Sequence, residues 1–459
     1  MAAPTPDAPA ADDTPQPETR ASRRAQAEQE RVRHHYVRNA LAALLVVVLG
    51  VTGYVGYQLW SFNRNVTRSD AITGVPEDAT ASVQAGAKGD VNILVMGLDS
   101  RLDINGKPLS DEVYEALHAG DETHVSMNSN VIMVFHIPGD GSKASAVSIP
   151  RDDYVPLAGC PLKRCEGKIK QAYGFAFEQE QEKLTQQGGL SPDEIHSRSR
   201  EAGRRAQIAT VQNVLGVKID HFVEVTMAAF YQIAQVIEPI TVCVKEDTAD
   251  TFSGADFKAG QQDISARQAV AFVRQRRDTN HPMALLFTDL DRARRQQAFI
   301  ISVLYKLKSA QTLTNPAKVK GILDVAAQNS AIDSGLDALS FLGTARDMAG
   351  GNLSFYTLPV EGFARNQYGE DINVVDLGKI RAMVQMIFKL PTAGPPATSG
   401  TPTSSSSPTT SKATSTSSKP ARTTTTPTFT AQPGEGGGTS GPPVTALTEL
   451  TSGGIPCVK

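Results

Sequence analysis

VNILVMG, residues 91–97, is the stretch on which the fold turns. It is a nearly continuous apolar run closed by glycine, the mark of a strand buried on both faces, so something must cover it on each side. Two more apolar runs, NVIMVFHI at 130–137 and ASAVSI at 144–149, are joined by PGDGSK, a glycine-rich connection short enough for a hairpin. A doubly buried strand beside a hairpin makes the sheet mixed. HFVEV at 221–225, ITVCV at 240–244 and SFYTL at 354–358 read as further strands, and helical patterns fall at 178–216, 226–237, 289–308, 316–327 and 333–348. This alternation predicts an α/β domain with a mixed central β-sheet and helices on both faces.

Outward from that middle the composition changes. Residues 1–30 hold almost no large apolar side chain, so burial cannot offset the entropy of ordering them. Residues 39–63, NALAALLVVVLGVTGYVGYQLWSFN, carry no charge and suffice to cross a bilayer of ~30 Å, with Tyr54, Tyr57 and Trp60 as interface anchors. A signal peptide competes with this reading, but the long positive leader and the lack of a small-x-small cleavage site count against it. Arg20, Arg23, Arg24, Arg31, Arg33 and Arg38 precede the span, which places the N-terminus in the cytoplasm and all that follows outside. The expected order is a disordered cytoplasmic tail (1–38), one transmembrane helix (39–63), a juxtamembrane linker (64–89), a folded extracytoplasmic domain (90–390) and a Pro/Ser/Thr/Gly-rich low-complexity tail (391–459).

A net charge of −3 gives no support for a nucleic-acid partner, so any electrostatic function is local. Cys160 and Cys165 enclose four residues in a loop and are expected to form a disulfide in an exported compartment. On leftover parity alone Cys243 and Cys457 could join the tail to the domain, a pairing the sequence leaves open. His124, His136, His221 and His281 are scattered without the spacing of a zinc site or a Ser-His-Asp triad.

The chemistry concentrates at 266–299, ARQAVAFVRQRRDTNHPMALLFTDLDRARRQQAF, with seven arginines against three aspartates. Guanidinium forks at this density among residues that favour burial need an anion, and phosphate suits them. Asp289, Arg292 and Gln296 share one helical face, with Arg295 beside it; Arg274 and Arg276 point to one side if the chain is extended there. Thr288 and Asp291 form a capping pair for the helix, whose positive end suits Asp289. Arg267, Arg277 and Arg294 are expected to face water or pair locally. Asp99 and Arg101 sit on the loop ending the first strand, and the hairpin brings Arg151, after the second of its strands, beside Asn130 at the start of the first. Lys168 and Lys170 read as a solvated edge.

NILVMGLDSR, VSIPRDDYV, GKIKQAYG, IDHFVEV, QAVAFVRQRR and DLDRARRQQAF, in that order, make the chain resemble the LytR-CpsA-Psr family over residues 92–388. The resemblance implies an extracytoplasmic enzyme that transfers a glycopolymer from a polyprenyl-pyrophosphate carrier to a peptidoglycan hydroxyl, forming a phosphodiester. It implies that Arg151, Arg274, Arg276 and Asp99 are catalytic, and that Arg101, Arg151, Arg274, Arg276, Arg292 and Gln296 bind pyrophosphate. Asp99, Asn130 and Asp289 would meet a Mg2+ or Mn2+ ion. An apolar cleft for the polyprenyl tail would have VTMAAFYQIAQVI as one wall, although those residues also suit a core. An actinobacterial-type tail and insertion point to arabinogalactan as the polymer, and a pyrophosphatase side activity would accompany transfer. Where much of the family has Arg-x-Asp before the second strand, this chain has Asn128-Ser129-Asn130, which removes a charged metal ligand. The alternative is a non-catalytic polyprenyl-pyrophosphate-binding scaffold for wall assembly.

Overall fold

The computed structural model describes residues 39, 49, 53–75, 89–118, 127–279, 287–309, 315–337, 351–390 and 449–459. The strands in chain order are β1 (Thr67–Ser69), β2 (Val91–Leu98), β3 (Ser129–Ile137), β4 (Ala144–Ser148), β5 (Tyr154–Pro156), β6 (Glu166–Lys168), β7 (His221–Thr226), β8 (Ile240–Val244) and β9 (Thr248–Asp250). They continue as β10 (Ala255–Phe257), β11 (Gly260–Ile264), β12 (Ser330–Asp333), β13 (Leu353–Thr357), β14 (Gly362–Arg365), β15 (Asp371–Val374), β16 (Leu450–Thr451) and β17 (Cys457–Val458). The helices are α1 (Asp111–Leu117), α2 (Gln171–Gln187), α3 (Pro192–Leu215), α4 (Met227–Ile237), α5 (Ala266–Arg274), α6 (Asp289–Ser309), α7 (Pro316–Asn329) and α8 (Leu377–Ile387).

Eight strands form the central sheet in the order β1-β12-β7-β2-β3-β4-β13-β16. β2 runs parallel to β7 and antiparallel to β3, and β4 is antiparallel to β3 and parallel to β13, so the sheet is mixed as expected. Successive side chains of a strand point to opposite faces, and β3 shows the consequence. Met133 enters a core shared with Ala146, Phe355 and the helices α4, α5 and α6; Ile132 and Val134 enter a second core with Leu94, Met96 and residues of α3 and α8. Helices therefore cover both faces. Gly97 permits the close approach of β2 and β3, since a Cβ there would lie 2.9 Å from the Val131 side chain. In α4, Ala228, Tyr231, Ala234 and Ile237 are buried in the first core.

Four expectations change. The helical region at 178–216 is two helices, parted where Gly188 and Gly189 take positive φ and Ser191 opens α3 with a capping box to Glu194. Asp333 ends strand β12, inserted between β1 and β7, and residues 338–348 of the expected helix lie outside the described residues. The linker at 64–89 supplies β1, so the folded unit begins before residue 90. At the other end, residues 450–458 leave the low-complexity tail and pair with the domain as β16 and β17. Residues 40–48 and 50–52 of the 39–63 span lie outside the described residues; among those described, no helix is long and apolar enough to cross a membrane. Both disulfides are present, Cys160–Cys165 and Cys243–Cys457.

Candidate functional site

Three adjacent strand ends set the first row of the site. Asp99 follows β2 and is held there by its N–H donating to the Asn128 carbonyl at 3.0 Å. Asn130 lies near the start of β3, and Arg151 follows β4, so the hairpin places them side by side. Arg151 Nη1 donates to Asn130 Oδ1 at 2.7 Å, while Asn130 Nδ2 donates to Asp99 Oδ2 at 2.6 Å. Only this amide orientation satisfies both neighbours, because a guanidinium can only donate and a carboxylate only accept.

The second row comes from α5 and α6. Thr288 and Asp291 cap α6 reciprocally: the Thr288 N–H donates to Asp291 Oδ2 at 2.7 Å and the Asp291 N–H to Thr288 Oγ1 at 3.3 Å. In the first turn, Asp289 Oδ1 accepts from Arg292 Nη2 at 2.8 Å and from Arg151 Nε at 3.2 Å, with Arg276 Nε 3.8 Å away. Arg276 is 51% exposed, whereas Arg292 is buried; burial lowers the Arg292 pKa to about 10 against the opposing pull of Asp289. Arg274 ends α5 and feels the charges of Asp99 and Arg101; burial, first, and Arg101 lower its pKa. Arg274 Nη1 and Arg292 Nε are buried without a hydrogen-bond partner among the described residues.

The expected residues do not all converge. Gln296 donates to the Val273 carbonyl at 3.3 Å and so ties α6 to α5. Arg295 points elsewhere, into a cage of phenylalanine rings. Arg267 and Arg277 are exposed, with Arg277 over the Phe252 ring.

Lys168 and Lys170 are not a solvated edge. Lys170 Nζ lies 2.6 Å from Asp152 Oδ1 and Lys168 Nζ 3.8 Å from it, and Asp152 also pairs with Arg151 at 3.4 Å. The Lys170 N–H donates to the Arg151 carbonyl and its own carbonyl accepts from the Ser129 N–H, which clips the loop across the strand ends. Burial, then Arg151, push the Lys170 pKa down to about 8 despite Asp152. Burial also works against the Asp152 carboxylate, but Arg151 and Lys170 outweigh it and hold its pKa below the ordinary value. Asp153 is wholly buried, its pKa pushed well up by burial, and it accepts from Asn373 Nδ2 at 2.9 Å. The signal for Lys170 was Gly-Lys-Ile-Lys following Arg-Asp-Asp, a pairing that periodicity cannot see. Arg101, Arg151, Arg274, Arg276, Arg292, Lys168 and Lys170 set seven positive charges against Asp99, Asp152, Asp250 and Asp289, an excess of three.

A divalent cation here would need hard oxygen donors. Asn130 does not fit as a ligand, since its oxygen is taken by Arg151 and its NH2 faces Asp99. Among the described residues, no group of three or more His, Cys, Asp or Glu side chains gathers to hold a metal. Asp99 and Asp289 still offer carboxylate oxygens, and Mg2+ commonly takes one or two carboxylates with water and substrate phosphate completing its shell. That smaller set fits.

A family model described as the LytR_cpsA_psr family matches residues 59–386. The cell wall biosynthesis protein LcpA of Corynebacterium glutamicum is 34% identical over 355 residues, 77% of this chain and 65% of LcpA. A polyisoprenyl-teichoic acid–peptidoglycan teichoic acid transferase, TagU of Oceanobacillus iheyensis, is 27% identical, over 62% of this chain and 70% of TagU. The chain thus spans just under two thirds of LcpA. Among solved structures, the LytR-Csp2A-Psr enzyme from Actinomyces oris is similar at a TM-score of 0.45 and 18% identity, covering 71% of this chain and 98% of that one.

Proposed function

Because the chain belongs to the LytR-CpsA-Psr family, we propose that it is a membrane-anchored phosphotransferase that moves a glycopolymer from a polyprenyl-pyrophosphate carrier onto peptidoglycan through a phosphodiester. The observation that carries the reading is the excess of positive charge around two buried guanidinium N–H groups, on Arg274 and Arg292, that have no hydrogen-bond partner among the described residues. Such groups are costly to bury unless an anion completes them. Arg274 and Arg101 hold one flank of the pyrophosphate; Arg151, Arg276, Arg292 and Lys170 hold the other. A peptidoglycan hydroxyl attacks the phosphorus nearer the sugar, the bridging P–O bond breaks, and the polyprenyl phosphate leaves into the charge of the same arginines, the hydroxyl proton passing to the departing phosphate or to water. Asp289 keeps Arg151, Arg276 and Arg292 together and does not contact the substrate. Asp99 and Asp289 would hold a Mg2+ or Mn2+ ion, which would neutralise phosphoryl charge. Water in place of the hydroxyl gives the pyrophosphatase side reaction.

Residues 39–63 anchor the protein with its catalytic domain outside the cytoplasm, a placement supported by two disulfides, which persist in oxidising compartments. Arabinogalactan is the polymer the resemblance favours. The full chain in detergent, given a polyprenyl-pyrophosphate glycan, peptidoglycan and Mg2+, should release polyprenyl phosphate, and Arg276→Ala or Arg151→Ala should abolish release. Neutral Asn130, where a carboxylate would strengthen a cation site, favours a second reading, a non-catalytic polyprenyl-pyrophosphate binder. Lipid binding without turnover in the native protein, with turnover gained by Asn130→Asp, would select it.

A further inference from the structure

Residues 449–459 return from a remote part of the chain to the back of the arginine cluster. We infer that this segment is a working part of the anion site, holding Arg274 and Arg276 in position through Arg295 and Gln275. The inference rests on the pyrophosphate reading above. β16 adds to the edge of the central sheet at β13, and β17 pairs in parallel with β8, with Cys457 opposite Cys243 and disulfide-bonded to it. This brings the main-chain oxygen of Lys459 to 2.7 Å from Arg295 Nε.

Arg295 lies one helical turn beyond Arg292 on α6 and is fully buried, its guanidinium 4.7–5.4 Å from the ring centres of Phe257, Phe272 and Phe287. Burial lowers its pKa to about 9. In that cage it has two hydrogen-bond acceptors among the described residues, the Lys459 oxygen and Gln275 Oε1 at 2.8 Å. Gln275 separates Arg274 from Arg276 and is itself completely buried. With Oε1 committed to Arg295, its NH2 must face the other way, where it donates to Thr248 Oγ1 and to the Arg277 carbonyl at 2.8 Å. Those bonds fix the path of the chain from Arg274 to Arg277, and the Arg276 N–H adds a weaker bond to Asp250 at 3.4 Å. If the segment leaves, Arg295 loses an acceptor inside an apolar cage, and it must move or admit water. Gln275 moves with it, and the two clamp arginines lose their register. Arg295 and Gln275 are positioning residues, since neither reaches the ligand side of the cluster.

The test is a double-mutant cycle on inorganic pyrophosphate binding, measured by calorimetry on the full chain in detergent, with thermal unfolding of every variant as the check on folding. Cys457→Ser, which frees the segment and spares Cys160–Cys165, should weaken binding by about tenfold, the scale of one charge-assisted hydrogen bond. Arg295→Lys, which keeps the charge and loses the fork, should do the same, and Arg267→Ala should not. Positioning further requires coupling: Arg276→Ala should cost much less in the Cys457→Ser background than in the native one. Costs that simply multiply, or native affinity in both Cys457→Ser and Arg295→Lys, would overturn the inference and leave the pyrophosphate reading intact. Absence of binding by the native protein, or binding indifferent to both Arg151→Ala and Arg276→Ala, would overturn that reading and this one with it.

Discussion

Raising the pH through 8 discharges Lys170 and should weaken the site before any other cation in it is lost. Burial has moved its pKa from 10.5 to about 8. At 1.36 kcal/mol per unit, that displacement is about 3 kcal/mol of preference for the neutral amine in the folded, ligand-free protein. An ammonium roughly 4 Å from a phosphoryl charge is worth at most ~4 kcal/mol at an effective dielectric of about 20. Partial hydration reduces this to about 1.5–3 kcal/mol, roughly tenfold to a hundredfold in Kd. Affinity for a pyrophosphate diester, which has no proton to lose in this range, should therefore begin to fall near pH 8, where Lys170 of the free protein discharges, and level off roughly one to two pH units higher, where that of the bound protein does. Lys170→Arg should remove the fall, because a guanidinium keeps its charge; Lys170→Met should be weak and flat throughout. Stability should run the other way. The unfolded chain keeps this proton up to about 10.4 and the folded chain sheds it near 8, so this lysine's contribution to stability grows across that window and is lost as pH falls back through 8. An identical binding midpoint in the native protein and Lys170→Arg would refute the assignment.

Asn130→Ala removes the acceptor of Arg151 and the donor to Asp99 in one step, and urea unfolding should register a loss of about 1–3 kcal/mol. Asp289→Asn leaves Arg151, Arg276 and Arg292 without their shared carboxylate; pyrophosphate should raise its melting temperature by less than it raises that of the native protein, and an equal or larger rise would speak against Asp289 as the organiser of the arginines. Glu224, wholly buried, accepts from Arg200, Arg204 and Tyr173. Burial opposes its charge, but the two arginines hold its pKa down to about 2. The stability it supplies is therefore complete above the unfolded value of about 4.3 and disappears as pH falls toward 2. Glu224→Gln should cost about 3–5 kcal/mol at pH 7 and flatten the acid limb of the denaturation curve; an unchanged limb would contradict the assignment.

Much of the site was legible because local geometry decides it. A hairpin must bring its open ends together, so Asn130 and Arg151 meet without help from the rest of the chain. A threonine three residues before an aspartate caps a helix wherever the helix goes, and it did so at Thr288 and Asp291. The apolar strand at 91–97 is covered most fully on one face, where Leu94 and Met96 enter the second core; on the other, Ile93 is buried and Val91 and Val95 are half-buried. Strands β1, β12 and β16 were invisible by the same logic, since two to four residues are too few to show a period.

Charge placement was a different matter. Arg292 and Arg295 lie three apart on one helix and are both buried, yet one joins Asp289 at the anion site and the other enters a phenylalanine cage to hold Lys459. Lys170 looked like a surface lysine until the fold laid it against Asp152. The sequence by itself determined which residues could carry positive charge, which strands had to be covered, and which strand ends had to be neighbours. Only the tertiary structure decided which cations gather at the strand ends and which are spent inside. That choice depends on the acceptor each guanidinium or ammonium meets, and those acceptors arrive from segments distant in the chain.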